Sequence, residues 1–209
     1  MGEEITMQSI CCGLRVGDTV PDFKLDTYEP SSGGFGEISL EKLKADGKWT
    51  ILFFYPADFT FVCATEFEAL ADKYDEIKSL GAELITVSTD TKFTHLAWHK
   101  DEQSLKKVKY LMGADRTAAV SRMFGVYNEC SGLDLRGTFI ISADGVLLNS
   151  EINFYNMGRN VDEIIRKLKA NIYLSKHGDE ACPAKWAKEG DKTLKPSADL
   201  VGKVYEALH

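Results

Sequence analysis

The stretch WTILFFYPADFTFVC, Trp49 to Cys63, sets the fold. Its first half, Trp49 to Tyr55, is a short continuous apolar run rich in β-branched and aromatic residues, the pattern of a buried strand. Pro56 has no amide proton to donate and stops the strand. Beyond a short loop, Phe67, Leu70, Tyr74 and Ile77 recur at helical spacing, and Gly81 follows as a C-cap. This predicts an amphipathic helix beginning around Cys63.

Outward from that unit, Glu83 to Ser88 (ELITVS) reads as a second buried strand, followed by helical segments from about Phe93 to Leu105 and Thr117 to Phe124. A strand-helix-strand unit implies a parallel pair. Gly137 to Ser142 (GTFIIS), the turn Ala143-Asp144-Gly145 and Val146 to Ile152 predict an antiparallel hairpin, because Asp-Gly between apolar runs favours a tight turn. Gly17 to Phe23 (GDTVPDF) is an extended lead-in, and Val161 to Leu174 is a further helix. The whole is an α/β protein whose central mixed sheet is flanked by helices, compatible with a thioredoxin-like fold.

The expected organisation is an extension over 1–13, a domain over 14–174 and a C-terminal arm over 175–209. The arm is rich in Lys, Glu, Gly, Asp and Pro, with an isolated Trp186 and a short helical pattern from Ala198 to Leu208. An exposed Trp and a cysteine on such an arm suggest docking against another surface, for example a second subunit.

At 209 residues and 44% hydrophobic, the chain is long enough for one core plus this arm. A net charge of −7 with no basic patch gives no footprint for nucleic acid or for an anionic membrane. The lysines of Lys100 to Lys109 alternate with Asp101 and Glu102 and read as a solvated face. No apolar stretch reaches the ~20 residues of a membrane span. Glu3 and Glu4 stand where a secretory signal carries positive charge, so a cytoplasmic location is expected. Met1, Gly2 and Thr6 loosely fit an acylation pattern, with Cys11 and Cys12 as further sites, but the acidic flank opposes membrane retention.

The five cysteines are Cys11, Cys12, Cys63, Cys130 and Cys182, with no C-x-x-C pair among them. That spacing suits individual thiol chemistry better than a disulfide scaffold or a zinc site. Cys63 falls in the first turn of a helix directly after a strand, where open α/β sheets bind ligands. A free thiol of pKa about 8.5 is only a few per cent thiolate at neutral pH, and making the thiolate a hundredfold more favourable needs about 2.7 kcal/mol. A helix terminus supplies ~0.3–1 kcal/mol, up to ~2 when partly buried, so a cation is also required. Arg136, immediately before the strand Gly137 to Ser142, is the best candidate, and Thr60 can place a hydroxyl beside the sulfur. Each also has a plainer reading: a surface arginine, a helix cap, a structural thiol.

Taken together the residues carry a resemblance. The segment Phe53 to Phe67 (FFYPADFTFVCATEF) closely resembles the active-site signature of peroxiredoxins, with Pro56, Thr60 and Cys63 matching P-x-x-x-T-x-x-C. Gly17 to Phe23 resembles the family's opening segment, Leu135 to Ile141 (LRGTFII) the strand that delivers an active-site arginine, and Gly158-Arg159 the place of a second arginine. Ala181 to Trp186 (ACPAKW) resembles the resolving-cysteine motif of the typical two-cysteine class, and the subgroup it resembles is the alkyl hydroperoxide reductase C type.

The resemblance implies a peroxidatic Cys63, Thr60 and Arg136 binding and polarising the peroxide, and Pro56 shielding the pocket. It makes Glu66 the orienter of Arg136 and Arg159, and Cys182 of a partner subunit the resolver. It further implies peroxide substrates, an external dithiol reductant (thioredoxin or a flavoprotein disulfide reductase system), a homodimer and rings of dimers, commonly decamers. No cofactor or metal is called for. Ala64 replaces a proline common after the peroxidatic cysteine, and neither a Gly-Gly-Leu-Gly insert nor a terminal Tyr-Phe pair is present. Both of those features accompany sensitivity to overoxidation in the family, so a robust form is expected. Two other classes remain: a thiol-disulfide oxidoreductase, which normally uses C-x-x-C, and an oligomeric holdase.

Overall fold

The computed structural model describes residues 13–209. The expectations for acylation at the N-terminus and for Cys11 and Cys12 lie outside the described residues. The chain divides into two compact units, one running to Val161 and the other spanning Asp162–His209.

In the first unit, seven strands form one mixed sheet. They are β1 (Lys24–Glu29), β2 (Gly34–Ser39), β3 (Trp49–Phe54), β4 (Ala82–Ser88), β5 (Leu111–Ala114), β8 (Arg136–Ile141) and β9 (Leu147–Asn153). Two further strands, β6 (Tyr127–Asn128) and β7 (Leu133–Asp134), form a separate small hairpin. The order across the sheet is β2-β1-β5-β4-β3-β8-β9. The parallel β3–β4 and β4–β5 pairs form its centre, and the remaining pairs are antiparallel.

The sequence explains the middle of this order. Ile51, Leu52, Phe53 and Phe54 are all fully buried, as a strand covered on both faces requires. The hairpin expected around Asp144-Gly145 is the β8–β9 pair. Phe54, Phe124 and Phe139 meet with ring centroids 4.7–5.6 Å apart in one part of the core. Tyr55, Phe67, Trp98 and Tyr110 form another aromatic cluster, which fixes the helix α2 (Phe61–Ser79) through Phe67. That helix ends at Leu80, and Gly81 takes φ +77°, a left-handed conformation that costs glycine little.

The remaining helices of this unit are α1 (Leu40–Ala45), α3 (Lys92–Asp101) and α4 (Ala119–Met123). The segment expected to be helical through Leu105 is α3 followed by a 3₁₀ turn at Gln103–Leu105.

The second unit holds α5 (Val161–Lys176, its first residue in the other unit) and α6 (Val204–Leu208), with a bridge between Ala181 and Leu194. Trp186 was expected to be exposed, and here the structure corrects the sequence: it is 1% exposed. Its ring lies 5.5 Å from that of Tyr173, and its carbonyl accepts a hydrogen bond from Arg166 Nη1 at 3.1 Å. Burial of apolar area against an aromatic neighbour packs this arm on α5 of the same unit, so the Trp186 ring is not an exposed anchor.

Candidate active site

The loop between β3 and α2 makes the site. Pro56 is buried, and Phe59 adopts a left-handed φ of +58°, rare for a residue with a Cβ. Thr60 is the N-cap of α2 but makes no side-chain cap bond. Its hydroxyl instead donates to the Ala57 carbonyl at 2.7 Å. With that proton engaged, Thr60 presents lone pairs, so in this state it is an acceptor rather than a donor.

Cys63, in the first turn of α2, is fully buried and forms no disulfide among the described residues. Glu66 follows one turn later, on the same helix face. Arg136 opens β8, the strand paired to β3, and so projects from the neighbouring strand into the same pocket. Its Nη1 donates to Cys63 Sγ at 3.3 Å and to Glu66 Oε2 at 2.7 Å. Its Nε donates to the Tyr155 carbonyl at 2.7 Å.

Arg159 completes the cluster from the second side. Its backbone N–H and Nε both donate to Glu66 Oε1 at 2.9 Å, and its Nη2 donates to Glu66 Oε2 at 2.9 Å. Its Nη1 donates to the Gly137 carbonyl and the Thr138 hydroxyl, and its guanidinium lies over the Phe53 ring. Burial lowers the Arg159 pKa and the Glu66 charge opposes that shift. Glu66 thus accepts four hydrogen bonds from two arginines, both nearly fully buried. One carboxylate and two guanidiniums sum to one positive charge beside the Cys63 sulfur.

The structure therefore gathers Cys63, Glu66, Arg136 and Arg159 by direct hydrogen bonds, with Thr60 and Pro56 in the adjoining loop. Cys182 lies in the other unit, half-buried, where burial and then the Glu180 charge raise its thiol pKa and Arg166 lowers it. Cys130 is exposed in the turn joining β6 to β7.

Sequence reading missed a buried support behind the loop. The Tyr55 hydroxyl donates to Asp58 Oδ1 at 2.6 Å, and Asp58 Oδ2 lies 2.7 Å from His95 Nδ1. Burial raises the Asp58 pKa and the His95 contact pulls it down. The Asp58 N–H also donates to Asp90. The one available signal was Asp58 itself, an acid inside an otherwise apolar stretch.

The family model of the AhpC/TSA family matches residues 16–150, and that of the C-terminal domain of 1-Cys peroxiredoxin matches residues 173–207. This chain belongs to the AhpC/TSA family. It is 51% identical over 170 residues to alkyl hydroperoxide reductase C of Ferdinandcohnia aciditolerans, covering 81% of this chain and 99% of the relative. It is 46% identical over 182 residues to alkyl hydroperoxide reductase C of Staphylococcus aureus, covering 87% and 95%.

Among solved structures, the reduced 2-Cys peroxiredoxin of Plasmodium vivax superposes with a TM-score of 0.85 at 33% identity, covering 92% of this chain and 99% of that one. Enterococcus faecalis AhpC does so with a TM-score of 0.76 at 39% identity, covering 80% and 98%. The fold is thioredoxin-like and the chain is a thiol-dependent peroxidase. The second matched model is named for a one-cysteine class, yet in this peroxiredoxin the matched stretch contains Cys182.

Proposed function

We propose that this peroxidase reduces hydrogen peroxide and organic hydroperoxides through Cys63, with Cys182 of the partner subunit as resolver and an external dithiol as reductant. The supporting observation is the 3.3 Å approach of Arg136 Nη1 to the buried Cys63 sulfur, with that guanidinium held by Glu66. The thiolate attacks one peroxide oxygen, the S–O bond forms as the O–O bond breaks, and the electron pair leaves on hydroxide or alkoxide, which takes up a proton. Arg136 donates to the oxygen where charge develops, and the Thr60 lone pairs accept the peroxide O–H. Pro56 excludes water from one side, and Arg159 acts through Glu66.

The Cys63 sulfenic acid then condenses with the Cys182 thiol, releasing water and forming a disulfide. Because the sulfur is fully buried, that step requires local unwinding at the start of α2. Dithiol exchange, from thioredoxin or a flavoprotein disulfide reductase system, restores both thiols. A homodimer is supported by β9 at the sheet's edge, with exposed Ile152, Phe154 and Met157 in and beyond it. Rings of such dimers and a cytoplasmic location complete the reading; among the described residues no helix is long and apolar enough to cross a membrane.

The test is a non-reducing gel after one equivalent of peroxide. A covalent dimer absent from Cys182→Ser and present in Cys130→Ser is the expected result. A dimer that survives Cys182→Ser overturns the assignment of the resolver.

A further inference from the structure

Two residues before Arg136, the β6–β7 hairpin closes on a polar chain that the peroxide chemistry does not use. Ser121 Oγ, on α4, lies 2.9 Å from Asp115 Oδ2 and 2.9 Å from Asp134 Oδ2. Asp115 also accepts the Ser121 N–H on Oδ2 at 2.7 Å and the Ala119 N–H on Oδ1 at 3.0 Å. All three side chains belong to buried residues.

A hydroxyl carries one proton, and ionised carboxylates only accept. One donor between two such acceptors leaves one contact without a proton, so the chain requires a second. Asp115 has backbone donors on both oxygens, whereas Asp134 Oδ1 is buried with no partner among the described residues. An orphaned oxygen is costly on a carboxylate and tolerable as the carbonyl of a neutral acid, so the extra proton belongs on Asp134.

We propose that protonated Asp134 is a positioning residue for Arg136: its carboxyl donates to Ser121, which donates to Asp115, and this relay fixes the chain where β8 begins. The role rests on reading Arg136 as the group that faces the peroxide. The rest of the hairpin is held independently. The Ser131 hydroxyl lies 2.8 Å from the Tyr155 hydroxyl, and the Tyr155 carbonyl takes Arg136 Nε. Thr89 donates to the Gly132 carbonyl, and the Leu135 N–H donates to the Val126 carbonyl. Asp134 thus secures one end of a short segment whose other end already orients the guanidinium.

The charged groups acting on Asp134 are Asp115 after β5 and Asp90 after β4. On α4, Arg122 is engaged by Glu129 and the Thr117 carbonyl and lies over the ring of Tyr127, the residue in register with Asp134. Burial, then these two acids, push Asp134 up to about 7, against the Ser121 hydrogen bond. A raised folded-state value means the contribution is full below the ordinary carboxylate range and is lost as pH rises through about 7. One pH unit above that value only about a tenth of the molecules keep the proton.

The experiment compares second-order peroxide consumption by the parent and by Asp134→Asn from about pH 6 to about pH 8, one pH unit either side of the titration. Asparagine donates to Ser121 without titrating, so the variant keeps its contact with Ser121 across the whole range. The variant-to-parent ratio is expected to rise about tenfold across this range; a constant ratio overturns the proposal. Infrared difference spectra of the parent need no variant and no turnover. They should show a buried protonated-carboxyl band that disappears as pH rises through about 7. Absence of that band overturns the relay while leaving the peroxidase reading intact. A band that titrates in a protein that consumes no peroxide overturns the peroxidase reading and the positioning role together.

Discussion

Arg136 Nη1 sits 3.3 Å from the Cys63 sulfur, although the two residues are far apart in sequence and on different elements. The approach follows from two placements. The antiparallel β3–β8 pairing brings the start of β8 beside the end of β3, and α2 begins a short loop later. The same nitrogen donates to Glu66, one helical turn beyond the sulfur, so a single helix face supplies both partners of that nitrogen.

Arg136→Met removes the donor and the charge while keeping an apolar side chain in the buried space. The rate with peroxide should fall by about 10²–10³-fold, the usual cost of deleting one donor to a developing oxyanion. The fold should persist, because Glu66 retains its three hydrogen bonds from Arg159. Stopped-flow peroxide consumption and a urea melt separate the two effects.

Glu66→Gln leaves two buried guanidiniums without their carboxylate. Breaking a buried ion pair from one side costs about 3–5 kcal/mol, so the urea midpoint should drop steeply. Peroxide reduction should fall as well, because Arg136 loses the group that aims it. A variant with parental midpoint would show that the cluster does not stabilise the fold.

Gly137→Ala tests how tightly β8 is packed. A Cβ there would stand 2.5 Å from Val126 Cγ1 and 2.7 Å from Phe139 Cε2, both belonging to fully buried side chains. Overpacking of this kind costs about 1–3 kcal/mol and should appear as a lower melting temperature by calorimetry. The peroxide rate should also fall, because the Gly137 carbonyl accepts from Arg159 and the strand carries Arg136.

Cys182 offers a pH-linked test within the second unit. Burial and then the Glu180 charge raise its thiol pKa, so at neutral pH it should alkylate more slowly than free cysteine. Glu180→Gln removes the nearby negative charge and keeps an acceptor for the Tyr173 and Thr193 hydroxyls. Its Cys182 should react faster with iodoacetamide, with the pH profile displaced to lower pH, as peptide mass mapping would measure.

The centre of the fold was legible because β3 and β4 are continuous apolar runs that carry their own signal, and Asp144-Gly145 marks its hairpin. β1, β2 and β5 were not read. β2 (GFGEIS) and β5 (LMGA) contain glycines that weaken strand propensity, and they owe their conformation to pairing with β1 and β4. The residues around Cys63 were legible as types at motif spacing, but the Tyr55–Asp58–His95 support is not. Tyr55 and Asp58 share the β3–α2 loop, but His95 comes from α3 and joins them only through tertiary packing. Trp186 was misread for a related reason: composition alone does not disclose the Tyr173 ring that helps to cover it.

Trapping the first oxidised species tests the central claim most directly. Cys182→Ser, given one equivalent of peroxide in the presence of dimedone and mapped by peptide mass spectrometry, should carry the adduct on Cys63. An adduct on Cys130 in its place, or an unmodified Cys63 after the peroxide has been consumed, would contradict the account.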